Sequence, residues 1–130
     1  MDAEAWLDDI YKLDELIQAK RAERMRIWEA ACGTVAGMDG MPHAPGISDK
    51  VGNLAVKLAD VDDAIKQYEA ERSAKIAVLE RLPASEYGVL HREYIRGMTR
   101  EKIAEEMDYS TVQVWRIKKR AMRRLEDLLG

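Results

Sequence analysis

Phenylalanine is absent from this chain, cysteine occurs once and proline three times in 130 residues. The lone Cys32 excludes a disulfide framework and a cysteine-based metal site. So little proline, and only 6% aromatic residues, argue against a sheet protein. Hydrophobic residues at 47% beside charged residues at 35% fit long helices instead. No apolar run is long enough for a signal peptide or a membrane span, and the N-terminal stretch MDAEAWLDDIYK is acidic. A soluble protein of the cytoplasm is expected. Catalytic patterns are missing too, since neither a nucleophile–base constellation nor a Gly-rich phosphate loop can be found. His43 and His91 lie far apart without Cys partners. Asp8–Asp9 and Asp62–Asp63 are adjacent in sequence and so point to different helix faces. The expectation is a protein that is no enzyme and takes no cofactor and no metal.

What charge there is lies unevenly. The chain carries a formal −3, and residues 1–83 hold 11 basic and 16 acidic side chains. Residues 84–130 hold 10 basic and 8 acidic. The basic excess sits almost wholly in STVQVWRIKKRAMRRL, from Ser110 to Leu125. That stretch has six Lys or Arg and no Asp or Glu. Such a segment is either a solvated helix end, where cations favour the helix dipole, or a surface shaped for phosphate.

From Ala3 to Cys32 no Gly or Pro occurs, and Trp6, Ile10, Leu13, Ile17, Ile27 and Ala31 recur at helical spacing. Lys20 and Arg24 interrupt that stripe. Four Gly and two Pro within Cys32–Gly46 then predict a loop over about 33–47. Ser48 is the expected N-cap of a second helix, in which Val51, Leu54, Leu58, Val61, Ile65, Tyr68, Ile76, Leu79 and Leu82 make a stripe broken by Arg72. Two such stripes joined by a loop predict an antiparallel, coiled-coil-like helical hairpin over 1–82, closed by Pro83. An isolated pair of helices buries too little surface to stand alone, so self-association through these helices, as a dimer or a higher oligomer, is expected.

After Pro83 the helices shorten. ASEYGVLHREYIR runs to Gly97, Thr99 caps REKIAEEM, and DYS makes a turn in which Asp108 tolerates a left-handed conformation. Ser110 and Gln113 fit a capping box at the head of the basic helix. A helix of about eight residues, a three-residue turn and a longer basic helix is the helix-turn-helix pattern. Val114, Ile117, Ala121 and Leu125 form the buried stripe. Thr111, Val112, Gln113, Trp115, Arg116, Lys119, Arg120 and Arg123 then fall on the outer faces and are the candidate DNA-binding residues. On this geometry Thr111, Val112 and Gln113 reach base edges or thymine methyls and Arg116 pairs with guanine, while Lys119, Arg120 and Arg123 meet phosphates. Trp115 has a competing reading as a core residue, and Arg124 is expected to face solvent or an acidic partner.

The run from Leu82 to Leu125 resembles region 4 of sigma-70-type factors. Leu82–Pro83, Val89–Leu90, Tyr94–Ile95, Gly97, Thr99, Ile103–Ala104, Ser110, Val114, Ile117, Ala121–Met122 and Leu125 fall in step with that family's pattern. The whole chain is similar to the small sigma-like late-gene transcription regulators of phages of Gram-positive bacteria (the ArpU and RinA type). There a helical N-terminal part and a junction like MPHAPGISDKVG precede a sigma-like C-terminus. The resemblance implies a DNA-binding transcription regulator encoded by a phage or prophage and working in the bacterial host cytoplasm. Where sigma factors often carry Arg-Glu after the helix cap, this chain has Thr111–Val112, and Trp115 stands at another usually polar position. Nothing resembles sigma region 2. A complete sigma factor is therefore excluded, and a different target sequence is expected.

The sequence thus predicts an all-α protein with an N-terminal hairpin (1–82) and a sigma-region-4-like helix-turn-helix domain (83–130). It is expected to read double-stranded DNA in the major groove with helix 111–126. Two alternatives stand beside that reading. One is a small-terminase-like DNA-packaging subunit of a phage; the other is a protein-interaction module that binds RNA polymerase or a host protein.

Overall fold

The computed structural model describes residues 2–36 and 45–130, with side chains described outside 33–51. Among the described residues there is no strand, and the fold is all-α. The two long helices are α1 (Ala3–Ala36) and α2 (Pro45–Leu79). Three shorter helices follow, α3 (Ala84–Leu90), α4 (Arg100–Met107) and α5 (Thr111–Leu129), with a π-helical turn over His91–Ile95 continuing α3.

Two expectations at the hairpin end are corrected. Helix α1 runs past Cys32 to Ala36, so Gly33 lies inside it at a cost of about 1 kcal/mol relative to Ala. Helix α2 opens at Pro45, not at a Ser48 cap. Proline suits a first helical position, since its missing N–H would be unsatisfied there in any case. Residues 33–36 and 45–47 of the loop expected over about 33–47 are thus helical, and residues 37–44, His43 among them, lie outside the described residues. At its other end α2 stops at Leu79, before Pro83. Arg81 and Leu82 N–H groups then donate to the Val78 and Leu79 carbonyls in a tighter turn.

The chain divides into two compact units, Met1–Asp14 with Glu71–Gly130, and Glu15–Ala70. In the second unit α1 and α2 run antiparallel, as the pairs Arg21–Glu69 (2.8 Å) and Arg24–Asp62 (2.6 Å) require. Arg24, which breaks the apolar stripe, is therefore matched by a carboxylate across the pair. Lys20, the other interruption, meets Glu23 one turn on, at 3.2 Å. Ile17 and Val61 are buried in this unit, whereas Leu54, Leu58 and Ile65 are half-buried and Met25, Trp28 and Val56 are exposed.

The first unit holds the short helices, and its core has two parts. Ala3, Trp6, Leu7 and Ile10 of α1 pack with Leu79, Leu82, Leu90 and with Ala121 and Leu125 of α5. Val89 packs with Ile103 and Ala104 of α4 and with Val114 and Ile117 of α5. The neighbours Val89 and Leu90 thus point α3 into both clusters at once. The Lys75 ammonium fastens α2 to the first turns of α1. It donates to the Trp6 carbonyl at 3.1 Å, sits 4.6 Å from the centre of the Trp6 ring and lies 3.6 Å from Asp9. Arg72, the break in the second stripe, lies 3.9 Å from Asp14.

Candidate nucleic-acid interface

The geometry of α5 is set by the turn before it. Gly97 takes φ +68° after the π turn, a conformation open to glycine at little cost. Thr99 then caps α4, its hydroxyl accepting from the Lys102 N–H at 3.3 Å. At the far end of α4, Asp108 is left-handed (φ 60°, ψ 39°), and the Tyr109 N–H closes back on the Ala104 carbonyl at 2.9 Å. Ser110 and Gln113 complete the capping box. The Ser110 hydroxyl accepts from the Gln113 N–H, and Gln113 Oε1 accepts from the Ser110 N–H, both at 3.1 Å.

From that fixed head the 3.6-residue period sorts every side chain of α5. Val114, Ile117, Ala121 and Leu125 are buried on one stripe. Val112, Arg116, Lys119 and Arg123 project from the opposite side, with Trp115 and Arg120 beside them, and all six are exposed. Lys118 and Arg124 flank the buried stripe, and each is paired with a carboxylate of the fold. Lys118 donates to Glu93 at 2.9 Å and lies 5.4 Å from the centre of the Tyr94 ring, while Arg124 Nε donates to buried Glu86 at 3.1 Å. Burial opposes the charge on Lys118, but the bond and charge of Glu93 outweigh it, so its pKa is raised. Tyr94 is raised as well, by burial first and by Glu93 next.

Two of the six cations are thereby spent within the fold. The other four, Arg116, Lys119, Arg120 and Arg123, make no ion pair with any carboxylate among the described residues. Lys119 rests over the Trp115 ring at 4.1 Å. Trp115 is 41% exposed and Val112 54%, which removes Trp115 from the core. Thr111 and Gln113 are exposed too, but Gln113 Oε1 is taken by the capping box, leaving its amide donor.

Arg100 is a residue the sequence reading missed. It stands at the first position of α4 and borders two open recesses that Trp115 also lines. One, of about 300 Å³, is lined by Arg100, Thr111, Val112 and Trp115. The other, of about 290 Å³, adds Lys118, Lys119, Met122 and Arg123 to Arg100 and Trp115. The only signal in the sequence was a basic residue directly after the Thr99 cap; its approach to Trp115 depends on how α4 crosses α5. Among the described residues, no cluster of three or more His, Cys, Asp or Glu is placed to hold a metal ion. No helix among them is long and apolar enough to cross a membrane.

The family model described as "Sigma-70, region 4" matches residues 78–127. No curated protein and no solved structure matches the chain. The matched stretch begins within α2 and runs through the capped turn and nearly all of α5, including every residue of the buried stripe and of the outer face. The chain therefore carries a sigma-70 region-4-like helix-turn-helix domain.

Proposed function

We propose that the protein binds double-stranded DNA sequence-specifically and regulates transcription, and that it is encoded by a phage or prophage. The observation that carries the reading is the sorting of charge on α5. The cations flanking the core are paired with Glu86 and Glu93, whereas those on the face opposite the core, around Val112 and Trp115, pair with no carboxylate among the described residues. A helix charged only for solubility would mix both signs on its outer face, whereas Ser110–Leu125 carries no Asp or Glu. The exposed face suits a major groove, with Thr111, Val112, Gln113 and Arg116 toward base edges and Lys119, Arg120 and Arg123 toward phosphates. Self-association through α1 and α2 belongs to the same proposal. It is supported by the half-buried stripe of the second unit and by its exposed Met25, Trp28 and Val56. Joining two weak reading heads raises affinity without adding interactions at either head.

The test is selection from a random duplex library with the purified full chain at about 150 mM salt. Enrichment of a repeated half-site supports the proposal, and its spacing reports the symmetry of the assembly. Retention that merely falls with salt, with no sequence enriched, refutes it. A ring of roughly eight or more subunits in solution would point to the packaging subunit instead. Co-purification with RNA polymerase in the absence of DNA would point to the protein-interaction module.

A further inference from the structure

Among the described residues of the first unit the large apolar side chains left exposed are Tyr11, Val112 and Trp115, and two of these three stand at the head of α5. They are set among cations, on the side of the helix facing away from the core, so packing does not account for them. Resting on the duplex-binding reading above, we infer that Val112 and Trp115 form an apolar reader of the C5-methyl group of a major-groove pyrimidine, thymine or 5-methylcytosine.

Where Val112 and Trp115 stand, the helix head favours a methyl group over an amino edge. Val112 and Trp115 line the recess of about 300 Å³, whose remaining walls are Thr111 and Arg100. The amino groups of adenine and cytosine need an acceptor. The Gln113 amide oxygen is already bonded to the Ser110 N–H and no carboxylate lines the recess, so the Thr111 hydroxyl is the one side-chain acceptor there. The thymine methyl is the apolar feature of the major groove, and 5-methylcytosine presents the same group at the same ring position. Lys119 covers one face of the indole at 4.1 Å, which holds the ring in place and leaves its remaining surface to the groove. Arg100, in the wall of the recess, supplies donors for a phosphate beside the base being read.

The experiment takes the duplex recovered by selection and replaces each thymine in turn by deoxyuridine, which removes only the methyl. Affinity is read by fluorescence anisotropy at about 150 mM salt. The full chain is expected to lose about fourfold in affinity at one or two positions per half-site, the equivalent of leaving one methyl-sized group in water. Val112→Ala should abolish the penalty at one of these positions and Trp115→Ala at its neighbour. Both side chains are exposed, so circular dichroism should show unchanged helix content. Where the sensitive base pair is replaced by C·G, methylating that cytosine should restore about fourfold if the methyl alone is read; a response confined to thymine would identify thymine as the natural ligand. Sequence-selective binding that no deoxyuridine weakens by even about twofold overturns the inference and leaves the duplex-binding reading standing. Failure to enrich any duplex overturns both.

Discussion

Arg124 Nε lies 3.0 Å from one carboxylate oxygen of Glu86 and 3.1 Å from the other, and the Glu86 side chain is only 4% exposed. The pair joins the last third of α5 to the first turn of α3 and turns this cation away from the outer face. Arg124→Met strands a buried carboxylate and should lower the free energy of unfolding by about 1–3 kcal/mol. The guanidinium is itself 59% exposed, so screening by water places the effect toward the low end of that range. Urea unfolding measures it. A midpoint equal to that of the parent chain would mean that the pair contributes no stability.

The capping box gives a second, local prediction. Ser110→Ala removes the acceptor for the Gln113 N–H and should cost about 1 kcal/mol, seen as a lower urea midpoint. Gln113→Ala removes the reciprocal bond and should cost less, since the Ser110 hydroxyl still caps the helix. A larger loss from Gln113→Ala than from Ser110→Ala would contradict this account of the helix head.

The helix-turn-helix domain draws its core from the far end of the chain. Trp6 is 7% exposed and Leu7 is fully buried, in the cluster that contains Leu90 and Leu125. Trp6→Ala should destabilise this unit by about 3–5 kcal/mol, even though residue 6 lies outside the helix-turn-helix. Amide hydrogen exchange reads the outcome directly. Protection at Ala121 and Leu125 should fall together with protection in the first turns of α1, and unchanged protection in α5 would show that the helix-turn-helix stands without them.

That dependence also marks how far the sequence was legible. Features decided within a few residues could be read. The Thr99 and Ser110 caps, the left-handed Asp108 and the buried stripe of α5 each follow from local hydrogen bonding or from a 3.6-residue period. Packing decided by tertiary approach could not. Nothing in MDAEAWLDDIYK announces that Trp6 and Leu7 join a core cluster with Leu125, and nothing in RAMRRL distinguishes Arg124, which pairs with Glu86, from Arg123, which pairs with no carboxylate among the described residues. Gln113 was legible as a cap, but that role removes its oxygen from the base-reading set. The helix ends at Ala36 and Pro45 were missed because Gly and Pro were weighed as breakers, when one Gly near a helix end and one Pro at a helix start are both tolerated.

Stability should also respond to mild acid through His91. Its pKa lies below the ordinary 6.5, because burial disfavours the imidazolium and Arg92, Arg96 and Arg72 add to that. The unfolded chain therefore takes up the proton at a higher pH than the folded chain does. Stability that is fully present above pH 6.5 declines as the pH falls below it. His91→Gln should flatten the fall in urea midpoint between about pH 7.5 and pH 5.5. An equally steep fall in the variant would assign the acid sensitivity to other groups.

On this account the unpaired cations of α5 meet phosphate while the paired ones do not. The most direct test is the salt dependence of affinity for the selected duplex. Lys119→Gln, Arg120→Gln and Arg123→Gln together should flatten the slope of log K against log salt by about 2–3 units, close to one unit for each phosphate no longer neutralised. Arg124→Met, its charge already matched by Glu86, should leave the slope unchanged. A triple variant with the parent slope, or an equal flattening by Arg124→Met, would contradict the assignment of this face to DNA.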